Sequence, residues 1–286
     1  GRARCARRHL RRVSLPPLEI SDVITPGPVR RSEAAARLRA SSQEQAARLV
    51  ERLPATDDVL DEPHVVALMR RVHAELQRLG EELQLPQRIS EDLDRLREAM
   101  GNRLRRVVDL GCGSGYVLRW LSHDPSLTGV DLVGVDHDPG LMEWAARLGA
   151  ADGCRARFVV GDALAPGVAI DEPEATIVIS SGVLHHIPAG DLPEFFAAHA
   201  AAGVAAFAHY DPEPGWLTNA GSWLFHRARM REAVSRHDGN LSMRRAHPAA
   251  ALLAAVAEGS PGYTAECVGG QSVLRVLRPI IASKGV

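Results

Sequence analysis

At 286 residues, with 45% apolar and 24% charged residues, the chain has ample material for a packed core, and its composition excludes a charge-rich disordered protein. Its 34 basic and 35 acidic residues leave a formal net charge of -1, so no overall field draws it to nucleic acid or to an anionic membrane. No stretch approaches the roughly 20 continuous apolar residues of a membrane span, and Cys5, Cys112, Cys154 and Cys267 have neither CxxC spacing nor disulfide-scaffold density, so a cytoplasmic location is expected.

Six arginines fall within Gly1 to Arg12, and four prolines lie between Leu15 and Pro28. Residues 1–31 therefore read as a flexible basic tail and proline-rich linker. A helical N-terminal cap is expected over residues 32–103. Alanine, leucine and arginine at helical spacing predict a first helix from Ser32 to Leu53, stopped by Pro54 to Asp58. Val65, Leu68, Met69, Val72, Leu76 and Leu79 mark the buried face of a second, and a third spans Ser90 to Met100, with Arg95 and Arg97 outward.

The periodicity then changes. Arg106 to Leu110 is a short strand that runs into the glycine-rich stretch Gly111-Cys-Gly-Ser-Gly115, and Tyr116 to Leu121 resumes helical spacing. Strands are predicted at Leu132–Asp136, Arg157–Val160, Ala175–Ser180 and Val204–His209, with helices at Leu141–Leu148 and Leu192–Ala202 between them. After a helix over Pro248–Val256, the segments Tyr263–Val268 and Ser272–Leu277 form a hairpin around Gly269-Gly270. The alternation predicts an α/β Rossmann-like three-layer sandwich over residues 104–286, with a mostly parallel seven-stranded sheet ending in an antiparallel hairpin. The stretch at about 212–246 is a substrate-side insertion that a minimal core would not need.

Gly111, Gly113 and Gly115 let the turn after the first strand approach a ligand closely, with the free N–H groups of the next helix facing it. Tyr116 stands where a dinucleotide-binding loop has its third glycine, which argues against a nicotinamide or flavin cofactor. Asp136 ends the second strand, where a carboxylate accepts two ribose hydroxyls. Asp162 can accept from an adenine amino group while the Ala163 N–H meets a ring nitrogen, and Asp109 would face an ammonium group.

Together these residues resemble the class I S-adenosylmethionine-dependent methyltransferases, small-molecule type. The resemblance is carried by Val107-Val-Asp-Leu-Gly-Cys-Gly-Ser-Gly115 (with Cys112 inside the loop), Gly134-Val-Asp136 with Met142, Gly161-Asp162-Ala163, and Ile179-Ser-Ser-Gly-Val-Leu-His-His-Ile187. It covers roughly residues 104 to 280 and implies S-adenosyl-L-methionine as cofactor and S-adenosyl-L-homocysteine as product. By the resemblance, Asp109 and Gly111 hold the methionine portion, Asp136 the ribose and Asp162 the adenine. His137 and Met142 flank the adenine ring, and Ser180 lines the methyl-bearing side of the pocket.

Direct displacement at a sulfonium methyl needs alignment and exclusion of water, not a metal or a covalent residue. No Asn/Asp-Pro-Pro-Tyr/Phe tetrapeptide follows the fourth strand, and the Leu-His-His-Ile segment is similar to that of enzymes methylating O, N or C of small metabolites. His185, oriented by Asp211, is the first candidate for proton acceptor. His186 and His209 are its rivals, Tyr210 could supply a polar contact, and a reaction with no side-chain base also fits. Trp216, Trp223, Phe225 and Met230 are candidates for an apolar acceptor wall, with Arg227 or Arg229 meeting an acidic substituent. An RNA methyltransferase using the arginine tail and a non-catalytic S-adenosylmethionine-binding protein are the alternatives to a small-molecule enzyme.

Overall fold

The computed structural model describes residues 17–25, 27–268 and 277–284. The arginine-rich tail and residues 272–276 of the second hairpin strand lie outside them. The chain divides into two compact units, the first ending at Ala67 and the second beginning at Leu68.

The first unit holds α1 (Arg31–Ala40), α2 (Glu44–Glu51) and two short paired strands, β1 (Ala55–Thr56) and β2 (Val59–Leu60). The single helix expected from Ser32 is thus broken at Ser41-Ser42-Gln43. Ser42 adopts a φ of 62°, and the Ser41 hydroxyl bonds back to the Arg37 carbonyl, so serine side chains compete with the helical ladder at this point. The linker expectation also changes within this unit: Ile20, Val23 and Ile24 are buried, and Gln43 Nε2 donates to the Leu18 carbonyl at 2.8 Å.

The long helix α3 (Glu62–Glu82) carries the chain across the boundary, so the cap expected over residues 32–103 is divided, and its later part is compact with the sheet. There follow α4 (Leu85–Ala99), β3 (Arg106–Leu110), α5 (Tyr116–Leu121), β4 (Asp131–Asp136), α6 (Pro139–Ala151), β5 (Arg157–Val160), β6 (Thr176–Ser181), α7 (Leu192–Ala202) and β7 (Ala206–Pro212). The insertion is a pair of helices, α8 (Trp216–Arg229) and α9 (Ala233–Arg245), and α10 (Ala249–Gly259), β8 (Tyr263–Cys267) and β9 (Leu277–Lys284) complete the unit.

The seven strands lie in the order β5-β4-β3-β6-β7-β9-β8, with β5 to β7 parallel and the last two antiparallel. Within the described residues the final strand runs Leu277–Lys284 and inserts between β7 and β8. Alternation along the strands sends Val107, Ile177, Ile179 and Ala208 to one face, against Ile89 and Leu93 of α4 and Leu118 of α5. Val108, Val133, Val178 and Phe207 go to the other, against Phe196 of α7 and Val256 of α10. Strand order reverses between β4 and β6 around β3, which opens a crevice at their carboxyl ends.

On the α7 face, His199 and His209 are fully buried among Phe195, Phe196 and Phe207, with the two imidazole centroids 5.0 Å apart. His199 Nδ1 donates to the Phe195 carbonyl at 2.8 Å, and neither Nε2 has a partner among the described residues. Burial pushes the His199 pKa down to about 4, and burial reinforced by His199 pushes His209 well below its ordinary value. The unfolded chain therefore takes up protons in this window that the native state refuses, so stability present above pH 6.5 is lost as pH falls toward about 4. Melting temperatures recorded from pH 7.5 to 4.5 should fall through this range, and His199→Phe should flatten part of the slope. An unchanged slope in that variant would remove His199 as a source of acid sensitivity.

Candidate active site

The turn out of β3 has Gly111, Gly113 and Gly115 at φ 66°, 55° and 68°, a left-handed run that residues with a Cβ adopt at a cost. Gly113 is the pivot. Its N–H donates to Asp136 Oδ2 at 3.1 Å, and a Cβ there would stand 3.2 Å from the His73 imidazole of α3. The same helix approaches α5 closely at Gly80, where a Cβ would collide with the Tyr116 hydroxyl. Gln77 accepts from Arg119 Nη2 at 2.8 Å.

Asp136, at the end of β4, is buried and also accepts from the Asp138 N–H at 3.2 Å, with His137 Nδ1 3.3 Å away. Burial alone would raise its pKa, but the hydrogen bonds from His137 and the two amides hold the carboxyl below its usual range. Asp109 has the opposite environment. It is buried on β3, and desolvation, with the Asp136 charge adding, pushes its pKa up to about 8. Asp162 lies exposed beyond β5 and caps its own turn by accepting from the Leu164 N–H at 2.9 Å, with Ala163 half-buried beside it.

Cys112 is tied into the loop and the apolar packing behind it. Its N–H donates to Val135, its carbonyl accepts from Gly115, and its sulfur lies 3.8 Å from that of Met142 in a small apolar cluster with Ala145. Met142 is buried in the same cluster, whereas the His137 ring is largely exposed.

At the end of β6, the segment Leu184–His186 forms a single 3-10 turn that brings His185 to Asp211 at the end of β7. His185 Nδ1 lies 3.0 Å from Asp211 Oδ1, and both residues are buried. His186 is exposed, its ring stacked obliquely at 4.3 Å on that of His185. The end of the insertion and the residues after it hold this turn: Arg245 Nε donates to the His185 carbonyl at 3.0 Å, and His247 Nε2 contacts the Leu184 and Ile187 carbonyls at 3.1 and 2.9 Å.

The strand pleat removes three other candidates from the crevice. Ser180 is opposite His209 in the β6–β7 register, and its hydroxyl bonds His209 Nδ1 at 2.8 Å on the α7 face, so neither side chain lines the methyl-bearing side or serves as a base there. Tyr210 points to the other face and spends its hydroxyl on Asp92 of α4 at 2.5 Å, so it makes no acceptor contact. Ser181, one residue beyond Ser180, instead meets the Tyr116 phenol.

In the insertion, Trp216 and Trp223 are 77% and 54% exposed, Phe225 is half-buried and Met230 is buried, so the four do not form one continuous wall. Arg227 lies over the Trp223 ring at 5.9 Å. Arg229 is engaged by Glu82 of α3, which corrects its assignment as a partner for an acidic substituent. The α8–α9 turn is clamped to α3: Glu75 accepts from the Arg231 N–H at 2.6 Å, Arg71 pairs with Glu232 at 2.7 Å, and Arg78 donates to the Arg229 carbonyl at 2.7 Å. A carboxylate at the start of a helix is favoured by its free N–H groups and dipole.

Residues 107–202, which contain the glycine loop, Asp136 and the histidine turn, match the family model of a methyltransferase domain. The chain carries a class I S-adenosylmethionine-dependent methyltransferase domain. Among solved structures, magnesium protoporphyrin IX methyltransferase from Synechocystis PCC 6803 with bound S-adenosylhomocysteine is similar in fold. It has 15% identity and a TM-score of 0.51, covering 74% of this chain and 94% of that one. The plantazolicin methyltransferase BamL aligns at 13% identity and a TM-score of 0.49, over 76% of this chain and 98% of its own. No curated protein matches the sequence.

Three residues that touch the glycine loop, the α8–α9 turn or the histidine turn were not singled out by the sequence pattern: His73, Glu75 and His247. His73 had a signal, being an imidazole on the apolar stripe of α3, four residues after Met69 and three before Leu76. Glu75 and His247 act through contacts across more than 50 residues, which no local spacing encodes.

Asp109 gives this methyltransferase a distinctive pH response before any ligand binds. A carboxyl raised to about 8 holds its proton in the native state where the unfolded chain has lost it, so this contribution is complete below pH 3.8 and disappears as pH rises to about 8. Asp109→Asn should raise the melting temperature at pH 8.5 more than at pH 5. An equal effect at both pH values would show that Asp109 is not a buried, proton-holding carboxyl.

Proposed function

We propose that the protein moves the methyl group of S-adenosylmethionine to an O, N or C nucleophile of a small metabolite, with His185 accepting the proton that the acceptor gives up. The cleft suits the cofactor on two counts. The turn after β3 runs through three glycines at positive φ, with Val183, His73 and Phe158 packed against its backbone, and Asp109 is a buried carboxyl with no cation beside it among the described residues, the environment an ammonium group would complete.

Bound there, the cofactor supplies an electrophilic methyl on a positively charged sulfur. Asp136 would accept the ribose hydroxyls, Asp162 and the Ala163 N–H would meet the adenine edge, and Asp109 with the Gly111 backbone would hold the amino-acid end. The observation that carries the catalytic reading is the buried His185–Asp211 hydrogen bond at the carboxyl ends of β6 and β7. A carboxylate on Nδ1 fixes the tautomer with the lone pair on Nε2 and stabilises the imidazolium formed when that nitrogen takes a proton. His185 would take the proton that the acceptor gives up as its nucleophilic atom gains the methyl group, the cofactor being released as the neutral thioether S-adenosylhomocysteine. On α8, the exposed Trp223 ring with the Arg227 guanidinium over it offers an acceptor an aromatic face beside one cation.

Methyl-labelled cofactor incubated with fractionated metabolites and with RNA identifies the acceptor, and label in RNA alone would replace the small-molecule assignment. With that acceptor and saturating cofactor, His185→Ala should slow single-turnover transfer by roughly 100-fold or more while leaving S-adenosylhomocysteine affinity unchanged. A wild-type rate across the pH range would eliminate His185 as the base.

A further inference from the structure

We infer that His73 is part of the cofactor site, its imidazole closing over Gly113 to hydrogen-bond the ribose hydroxyls from the side opposite Asp136. The inference rests on the cofactor reading above and adds a residue that lies outside the stretch matching the methyltransferase domain.

Position comes first. The His73 ring lies close against Gly113, whose N–H is bonded to Asp136, so imidazole, glycine backbone and carboxylate converge on one spot in the crevice. The Asp136 and Asp138 carboxylates are near enough for their charges to act on the ring. Its placement is held along α3 by Gly80 against Tyr116, by the Gln77–Arg119 bond and by Glu75 at the α8–α9 turn.

Chemistry comes second. His73 makes no hydrogen bond among the described residues, and its one aromatic neighbour is Trp144, edge-on at 6.4 Å. Burial pushes its pKa down despite the nearby carboxylates, so at neutral pH it is an uncharged ring with one N–H and one lone pair. An ionised carboxylate only accepts. A ribose hydroxyl that gives its hydrogen to Asp136 keeps oxygen lone pairs that call for a donor, and an imidazole N–H at this position supplies it. The ring's two nitrogens have no protein partner among the described residues, and a bound ribose would give one of them a hydroxyl to meet.

Calorimetric titration with two ligands separates these cases: S-adenosylhomocysteine, and 5′-methylthioadenosine, which keeps the ribose but lacks the amino-acid end. His73→Phe, which retains the packing, should weaken both ligands by about tenfold, and His73→Gln, which retains an N–H donor, should recover most of the loss. Melting temperatures establish that each variant is folded, and if one is not, the other decides. Unchanged affinity of His73→Phe for both ligands would overturn the inference. A loss confined to S-adenosylhomocysteine would overturn the ribose assignment in favour of the amino-acid end. If the wild-type protein bound neither ligand, the cofactor reading itself would fall, an outcome distinct from wild-type binding with an indifferent His73.

Discussion

The bond from the Gly113 N–H to Asp136 ties together the two loops from which the rest of the site is built. It fixes the left-handed glycine run against the end of β4, and Asp136 accepts in addition from Asp138, which itself caps α6 through the Gly140 and Leu141 N–H groups. Loop, strand end and helix start thus form one hydrogen-bonded unit. Two carboxylates close together follow from this arrangement, and they differ because only one is supplied with donors. Asp136 has amides and an imidazole that favour its charge, whereas Asp109 has desolvation and a like charge that oppose its own.

The helices outside the sheet position the chemistry from both sides. Helix α3 lays His73 on the glycine loop and, two residues later, uses Glu75 to hold the turn between α8 and α9. At the end of α9 and just after it, Arg245 and His247 bind three carbonyls of the histidine turn, where His185 meets Asp211. The insertion is therefore coupled at one end to α3, which packs on the glycine loop, and at the other to the His185 turn. Side chains held by such outer contacts keep the geometry that proton transfer and displacement require.

Most of the α/β alternation was legible because short apolar runs, helical spacing and turns are local signals: the strands Arg106–Leu110 and Arg157–Val160 and the helix Leu192–Ala202 coincide with the structure residue for residue. The His185–Asp211 pairing was legible too, since adjacent parallel strands must bring their carboxyl ends together. What failed was the direction of side chains near those ends. Ser180, His209 and Tyr210 sit within two residues of the crevice, yet the pleat turns Ser180 and His209 to the α7 face and Tyr210 to the α4 face. The break at Ser42 and the engagement of Arg229 by Glu82 depend on local side-chain competition and on a contact between distant segments, and composition carries neither.

The central claim is that one crevice holds the cofactor between the glycine loop and Asp136, with its methyl-bearing sulfur directed to His185. A crystal structure of the protein with S-adenosylhomocysteine tests it most directly. The account predicts ribose hydroxyls on Asp136, the amino-acid end over Asp109 and Gly111, and the sulfur opening toward the His185 ring. A nucleoside bound away from Asp136, or a sulfur separated from His185 by the β6 backbone, would contradict it.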